Sequence, residues 1–139
     1  MDGYKLTELL GERLHLELPP VGVAFADECP DGVYTLATEP PSFCALWRWG
    51  EERVFYASAA EHQGCPIGGM VAGFVSPDDN PSELTAALLE MCEDGEYDPD
   101  EEIANTARFA HGNAGIVYGP LWQYPSEPLL SVMWMTLPQ

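Results

Sequence analysis

The hydrophobic positions near the N-terminus recur every three or four residues, with charged residues between them. They are Leu6, Leu9, Leu10 and Leu14. This spacing predicts an amphipathic helix of about three turns whose apolar stripe belongs to the core. Pro19 and Pro20 cannot continue the helix, and the apolar run 21–25 that follows them predicts a buried strand.

Further hydrophobic runs predict helices and strands in irregular alternation. Helices are expected from Ser42 as N-cap to Gly50, from Pro66 to Phe74, from Pro81 with Asn80 as N-cap, and over 99–109. Strands are expected over 53–59, 114–120 and 129–138. Cys92 falls on the buried stripe of the helix that begins at Pro81 and is expected there as a small core residue. The predicted class is therefore α+β: a single domain over residues 1–139, with a small mixed or antiparallel sheet and several helices packed on it.

The chain is strongly acidic, because 23 acidic residues face 5 basic ones for a formal net charge of −18. Such a surface repels phosphate backbones, which excludes nucleic-acid binding through a basic face. It favours solubility in a salty or crowded cytosol. The alternative is docking on a protein partner with a basic surface through the segment 90–102, which has eight carboxylates and no cation. A homo-oligomer is the alternative assembly.

The sequence contains no apolar run near the roughly 18 residues that span a bilayer. It also has no charged-then-apolar leader, so we expect a cytoplasmic protein. Its four cysteines are then expected to stay reduced, and no C-x-x-C pair is present among them. They are Cys29, Cys44, Cys65 and Cys92.

The segment 60–74, AEHQGCPIGGMVAGF, carries the most distinctive chemistry in the chain. If a helix begins at Pro66, Cys65 is its N-cap, and the unpaired N–H groups and the helix dipole favour the thiolate, which is the form that attacks or binds metals. Gly68 and Gly69 lower helix stability by roughly 1 kcal/mol each relative to alanine. Since they have no side chain, we expect another group to approach this backbone closely, and we assign both to cofactor binding.

A metal centre is the first interpretation of this segment. His62 lies three residues before Cys65, and a thiolate with an imidazole suits zinc, iron or copper. Cys44 is the expected third ligand and shares the cofactor-binding role with Cys65. Cys29 is the expected fourth, since Cys-Pro is a common setting for thiolates that bind iron–sulfur clusters. The alternative is that His62 and Cys65 only line a turn.

The aromatic residues suggest a second kind of site. Most are expected in the core or at its edge, and several beside a glycine-rich helix start would wall a pocket for a flat ligand. They are Trp47, Trp49, Phe55, Tyr56, Tyr118, Trp122, Tyr124 and Trp134. His111 lies in a glycine-rich turn and is expected as a loop residue.

Three segments together resemble a known family: LHLELPPVGVAF, FCALWRWGEERVFYASAAEHQGCPIGGMVAGF and GIVYGPL. The family is domain of unknown function 169, the ArCR-type proteins, whose members have a leading helix, a Pro-Pro-Val-x-Val strand and a cysteine that matches Cys44. They also have a His-x-Cys-Pro run or a near variant of it, which here reads His62-Gln63-Gly64-Cys65. The resemblance covers most of the chain and implies shared cysteine positions and a shared fold, but no established reaction. Since similar chains continue past the last residues here, it also implies a short or truncated member.

Three functional hypotheses follow. The first is an accessory or redox-linked protein that binds a transition metal or an iron–sulfur cluster through Cys65 and Cys44, with His62 and Cys29 as co-ligands. The second is a non-catalytic subunit or small-ligand-binding module that docks on a basic partner. The third is a thiol enzyme with Cys65 as nucleophile. The sequence leaves open whether the protein is an enzyme.

Overall fold

A computed structural model describes residues 2–38, 40–91, 98–110, 112, 114–124 and 130–132. It contains helices and strands in irregular order, which confirms the α+β class. The helices are α1 (Gly3–Leu14), α2 (Phe43–Gly50), α3 (Pro66–Val71), α4 (Pro81–Met91) and α5 (Pro99–Asn105), with short 3₁₀ helices at Ala59–His62 and Leu121–Gln123. The strands are β1 (Val21–Ala26), β2 (Tyr34–Thr35), β3 (Phe55–Ser58), β4 (Gly115–Pro120) and β5 (Leu130–Val132).

The strands form one mixed sheet in the order β2-β3-β4-β1-β5. β4 lies at its centre and pairs antiparallel with both β1 and β3, while the two-residue β2 pairs parallel with β3. The register places Tyr118 of β4 between Val23 of β1 and Phe55 of β3. Because alternate residues of a strand point to the same face, these three side chains belong to one face of the sheet.

That face of the sheet carries the core, and α2 and α3 cover it. Phe55 stacks on Tyr118 with their ring centroids 5.3 Å apart, and Leu46 of α2 is fully buried against the same layer. The apolar runs of β1 and β4 form this core because both strands are covered on the sheet's helical side. The buried cluster is Val21, Val23, Leu36, Phe43, Leu46, Phe55, Ala57, Ala72, Ile116 and Tyr118.

On the opposite face of the sheet, several glycines lie under larger side chains. A Cβ on Gly22 would come within 2.6 Å of the Tyr124 ring, and one on Gly115 within 2.5 Å of the Tyr56 ring. Tyr124 is fixed in this position because its hydroxyl donates a hydrogen bond of 2.8 Å to the carbonyl of Val117. Flat rings therefore fill the space that side chains on these strand positions would occupy.

The first helix forms as predicted, but its apolar stripe is not part of the core. No residue of α1 is buried, and Leu9 and Leu14 keep 43% and 40% of their surface exposed. The reason is the position of α1, which packs on the short helix Leu121–Gln123 beside the sheet. The contact is close at Gly3, where a Cβ would clash with the carbonyl oxygen of Leu121.

The other predicted elements are present with changed ends. α5 ends at Asn105 and the chain is extended at Thr106, so the predicted continuation of this helix to Phe109 is wrong. The predicted strand 129–138 is described only over Leu130–Val132. Within the described residues, no helix has both the length and the hydrophobicity needed to cross a membrane. Several predictions concern positions outside the described residues: Cys92, His111, Trp134 and the part of the acidic segment over 92–97.

Candidate functional site

The segment after β3 turns a histidine side chain into the core. Ser58 caps the short helix Ala59–His62: its hydroxyl accepts from the N–H of Ala60, and its own N–H donates a hydrogen bond of 2.7 Å to the Glu61 carboxylate. This reciprocal arrangement is a capping box, which fixes the direction in which the helix starts. As a result, His62 at the helix end is only 1% exposed.

Both ring nitrogens of His62 are hydrogen bonded inside the protein. Nδ1 lies 2.6 Å from the carbonyl oxygen of Ser58, and Nε2 lies 2.9 Å from the hydroxyl of Tyr118. Because a carbonyl can only accept, Nδ1 carries the proton, and Nε2 then accepts from the Tyr118 O–H. The Ser58–His62–Tyr118 chain is therefore complete without a ligand, and neither nitrogen is free for a metal.

Burial keeps both members of this pair uncharged near neutral pH. Burial lowers the pKa of His62 below its ordinary value, while the hydrogen bond to Ser58 and the charge of Glu61 oppose that effect. Burial also raises the pKa of Tyr118 well above its ordinary value. Aromatic rings surround His62, with the Phe74 and Phe43 centroids 4.6 Å and 5.0 Å from its own.

Cys65 occupies the position that the sequence predicts for it. It is the N-cap of α3, Pro66 is the first residue of that helix, and the Cys65 sulfur accepts a hydrogen bond of 3.4 Å from the N–H of Gly68. Its side chain is half-buried and packs against the edge of the core. The helix is short, with six residues.

The two glycines of α3 are explained by packing within the chain. A Cβ on Gly68 would lie 2.6 Å from ring atoms of Phe43, which is the first residue of α2. A Cβ on Gly69 would lie 3.1 Å from a methyl group of Val75. The group that approaches the Gly68 backbone closely is therefore the Phe43 ring, and this contact holds α2 against α3.

The remaining predicted ligands are Cys44 and Cys29. Cys44 is exposed on α2. Cys29 is half-buried, and its thiol donates a hydrogen bond of 3.3 Å to the carbonyl of Val33. In the part of the chain that the structure describes, no three His, Cys, Asp or Glu side chains are grouped so that they could hold a metal ion. The cysteine metal centre stays a prediction.

A cavity of about 80 Å³ lies on the helical face of the sheet, next to the Tyr118–His62 pair. Its floor is formed by alternate residues of β1 and β4, and its walls come from α2, α3 and the segment after α5. The nine lining residues are Val23, Phe25, Phe43, Trp47, Val71, Ala72, Phe109, Ile116 and Tyr118. None of them is charged, and we refer to this cavity as the apolar pocket.

Phe109 is fixed at the pocket by backbone and ring contacts. Its N–H donates a hydrogen bond of 2.9 Å to the carbonyl of Val71, and its ring meets Phe25 edge-on with centroids 4.8 Å apart. Gly73, with φ of 78°, lets the chain after α3 pass under the carbonyl of Ala110. Phe109 is still 39% exposed, whereas Val23, Ile116 and Tyr118 on the floor are at most 6% exposed. The pocket is thus deep at the sheet and opens at Phe109.

The sequence anticipated two of the pocket's aromatic residues, Trp47 and Tyr118. Its main omission was Phe109, because the predicted helix 99–109 placed this residue on a helix and not on a connecting segment. Val23, Phe25 and Ile116 were predicted as strand residues without a role in a site. The period-two alternation assigns Val23 and Phe25 to one face of β1, and Ile116 to one face of β4. That these two faces lie side by side depends on the pairing of strands far apart in the chain, which the local sequence does not show.

Comparisons with known proteins place the chain in a family. No curated protein and no solved structure matches it. The family model that matches carries the description uncharacterised ArCR, and the match covers residues 9–139, which include every residue of the apolar pocket and of the Ser58–His62–Tyr118 chain. The protein therefore belongs to the family of domain of unknown function 169.

Proposed function

We propose that this protein is a small-ligand-binding module and that the apolar pocket is its binding site. The observation that carries the proposal is the pocket itself: a preformed space of about 80 Å³ with aromatic walls, a buried floor and an opening at a partly exposed phenylalanine. Binding sites for small molecules are usually preformed, concave and mostly apolar. A core packed only for stability leaves few voids larger than a water molecule.

The walls of the pocket are rigid enough to select a ligand. Phe43 is held by Gly68 on one side and contacts the Trp47 ring edge-on at 5.8 Å. Tyr118 is held by the hydrogen bond to His62 and by stacking on Phe55. Side chains that are locked by packing and hydrogen bonds lose little entropy when a ligand binds.

The test uses nuclear magnetic resonance of the methyl groups that line the pocket, those of Val23, Val71 and Ile116. A panel of small apolar compounds that contains benzene, indole and hexane-1,2-diol is titrated into the wild-type protein. At least one compound should shift these methyl signals in a saturable way. A Val71→Phe variant fills the pocket and should abolish the shifts, whereas Leu89→Phe, at a residue that is 54% exposed outside the pocket, should leave them unchanged. If no compound shifts the pocket methyls, the proposal is refuted.

A second candidate is the cysteine metal centre or reactive thiol. The observation that favours it is the position of Cys65 at the N-cap of α3, where its sulfur already accepts a backbone N–H. Because His62 has no free nitrogen, the metal would be held by Cys65 and Cys44 with ligands from outside the described residues or from a second molecule. Elemental analysis of protein purified without air tests this candidate, and metal-free protein whose Cys65→Ser and Cys44→Ser variants behave as wild type refutes it.

The ligand-binding module is further proposed to act as a non-catalytic cytoplasmic subunit that docks on a basic partner. The acidic groups at the start of α5 support this, since Asp98 caps the helix and Asp100, Glu101 and Glu102 occupy its first turn. Attraction between such a surface and a basic partner weakens with salt. A partner that stays bound in low salt and is released in high salt is the expected result, and a chain that migrates alone at both ionic strengths contradicts it.

A further inference from the structure

The apolar pocket offers a ligand almost no polar partner. Of its nine lining residues, only Tyr118 and Trp47 have polar side-chain atoms. The Tyr118 O–H donates to His62 Nε2, and the His62 Nδ1–H donates to the Ser58 carbonyl. Both donors therefore already have an acceptor inside the protein. The other polar side-chain atom in the lining is the indole nitrogen of Trp47.

The backbone around the pocket is also largely used. The pocket residues Val23 and Phe25 of β1 face Tyr118 and Ile116 of β4 in antiparallel register, so the peptide groups of these strands pair with each other. The Val71 carbonyl accepts from Phe109. A hydroxyl group that entered would lose its hydration with little in return, and a charged group would lose far more.

The size of the pocket limits the group further. Its volume of about 80 Å³ is about half of the ~150 Å³ cavity that takes up benzene in a known protein. A complete aromatic ring therefore does not fit without displacement of a wall, whereas about three or four aliphatic carbons do. Since the floor is closed and the opening lies at Phe109, the rest of a larger ligand would extend past that ring into solvent.

From these observations we infer that the pocket takes the aliphatic end, about three or four carbons long, of an amphipathic ligand whose polar part stays outside at Phe109. This inference rests on the proposed ligand-binding function and names the ligand's chemical class. It also gives Phe109 the role of the residue that sets the depth of the site, because the Phe109 ring stands at the opening.

The experiment varies the tail of a probe while its head stays the same. Alkane-1,2-diols with tails of two to six carbons beyond the diol are titrated, and binding is followed by the methyl signals of Val23, Val71 and Ile116. Affinity should rise about fourfold for each added methylene, which corresponds to ~0.8 kcal/mol, and should level off once the tail exceeds three or four carbons. Phenylethane-1,2-diol, with a ring in place of the tail, should bind more weakly than hexane-1,2-diol.

A matched pair of variants tests the role of Phe109. In Phe109→Ala, affinity should keep rising with tail length beyond the point at which it levels off in the wild type, because the ring at the opening is removed. Trp122→Ala removes a similarly exposed aromatic side chain outside the pocket, at 47% exposure, and should leave that point unchanged. The inference is overturned if affinity does not depend on tail length, or if the phenyl probe binds more tightly than hexane-1,2-diol. Either result would leave the proposed function intact. Failure of every probe to shift the pocket methyls refutes the proposed function itself.

Discussion

Replacement of His62 by glutamine should change how the stability of the protein depends on pH. In the folded protein, burial lowers the pKa of His62 below its ordinary value of 6.5, while the unfolded chain titrates near that ordinary value. Between these two pKa values the unfolded chain binds a proton that the folded protein does not. The free energy of unfolding therefore falls as the pH decreases through 6.5, and the loss levels off below the folded pKa.

The magnitude follows from the ordinary pKa alone. At pH 5.5, one unit below 6.5, the contribution of one such histidine is at most about 1.4 kcal/mol. At pH 7.5, His62→Gln should already cost about 1–3 kcal/mol, because the buried Tyr118 hydroxyl and the part-buried Ser58 carbonyl lose a well-placed partner. The difference in unfolding free energy between wild type and variant should shrink between pH 7.5 and 5.5 by up to that 1.4 kcal/mol.

Urea unfolding followed by tryptophan fluorescence at the two pH values measures this difference. Phe55→Leu is the matched control, because Phe55 is fully buried and stacks on Tyr118 but does not titrate. This control should be destabilised by a similar amount at both pH values. If the unfolding free energies of wild type and His62→Gln differ by the same amount at pH 7.5 and at pH 5.5, then His62 is not held uncharged by burial.

Three further changes test other parts of the structure. Gly68→Ala should destabilise the protein by about 1–3 kcal/mol, since the new methyl group meets a neighbouring phenyl ring. Gly11→Ala, in open space on a helix, should instead stabilise it by up to about 1 kcal/mol. Urea unfolding distinguishes the two variants, and equal effects would contradict the packing at Gly68. Tyr124→Phe should lower stability by about 1 kcal/mol through loss of a hydrogen bond to a β4 carbonyl, and an unchanged thermal midpoint would argue against that bond. Iodoacetamide followed by peptide mass spectrometry should label exposed Cys44 faster than half-buried, hydrogen-bonded Cys29, and the reverse order would conflict with their positions.

The sequence predicted the local features of the fold well. Ser42 and Cys65 were predicted as N-caps and both accept backbone N–H groups at helix starts. Asn80 was predicted as the N-cap of α4, and its side chain accepts from the N–H of Glu83. A cap depends on residues within one helical turn, so a linear reading is sufficient to find it.

Features that depend on distant contacts were not predictable in the same way. The Tyr118–His62 hydrogen bond joins residues 56 positions apart, and nothing in either local segment indicates the other. The apolar stripe of α1 also has two possible fates, since its spacing specifies a packed face but not whether that face meets the core or a short surface helix. The pair Gly68-Gly69 shows the same limit: a glycine signals a close approach, and the sequence does not say whether a ligand or a side chain of the same chain makes it.

The glycines on this face of the sheet have a consequence for how the family can vary. Each shares one volume with the side chain that lies over it, so the fold limits the combined bulk at the two positions and not the bulk at either one. A larger residue on the strand is compatible with the fold only when its overlying partner becomes smaller. The coupled pairs are Gly22 with Tyr124, Gly115 with Tyr56, and Gly119 with Val54. Substitutions at these positions should therefore arise in twos, and a single enlargement should be tolerated only after its opposite number has shrunk.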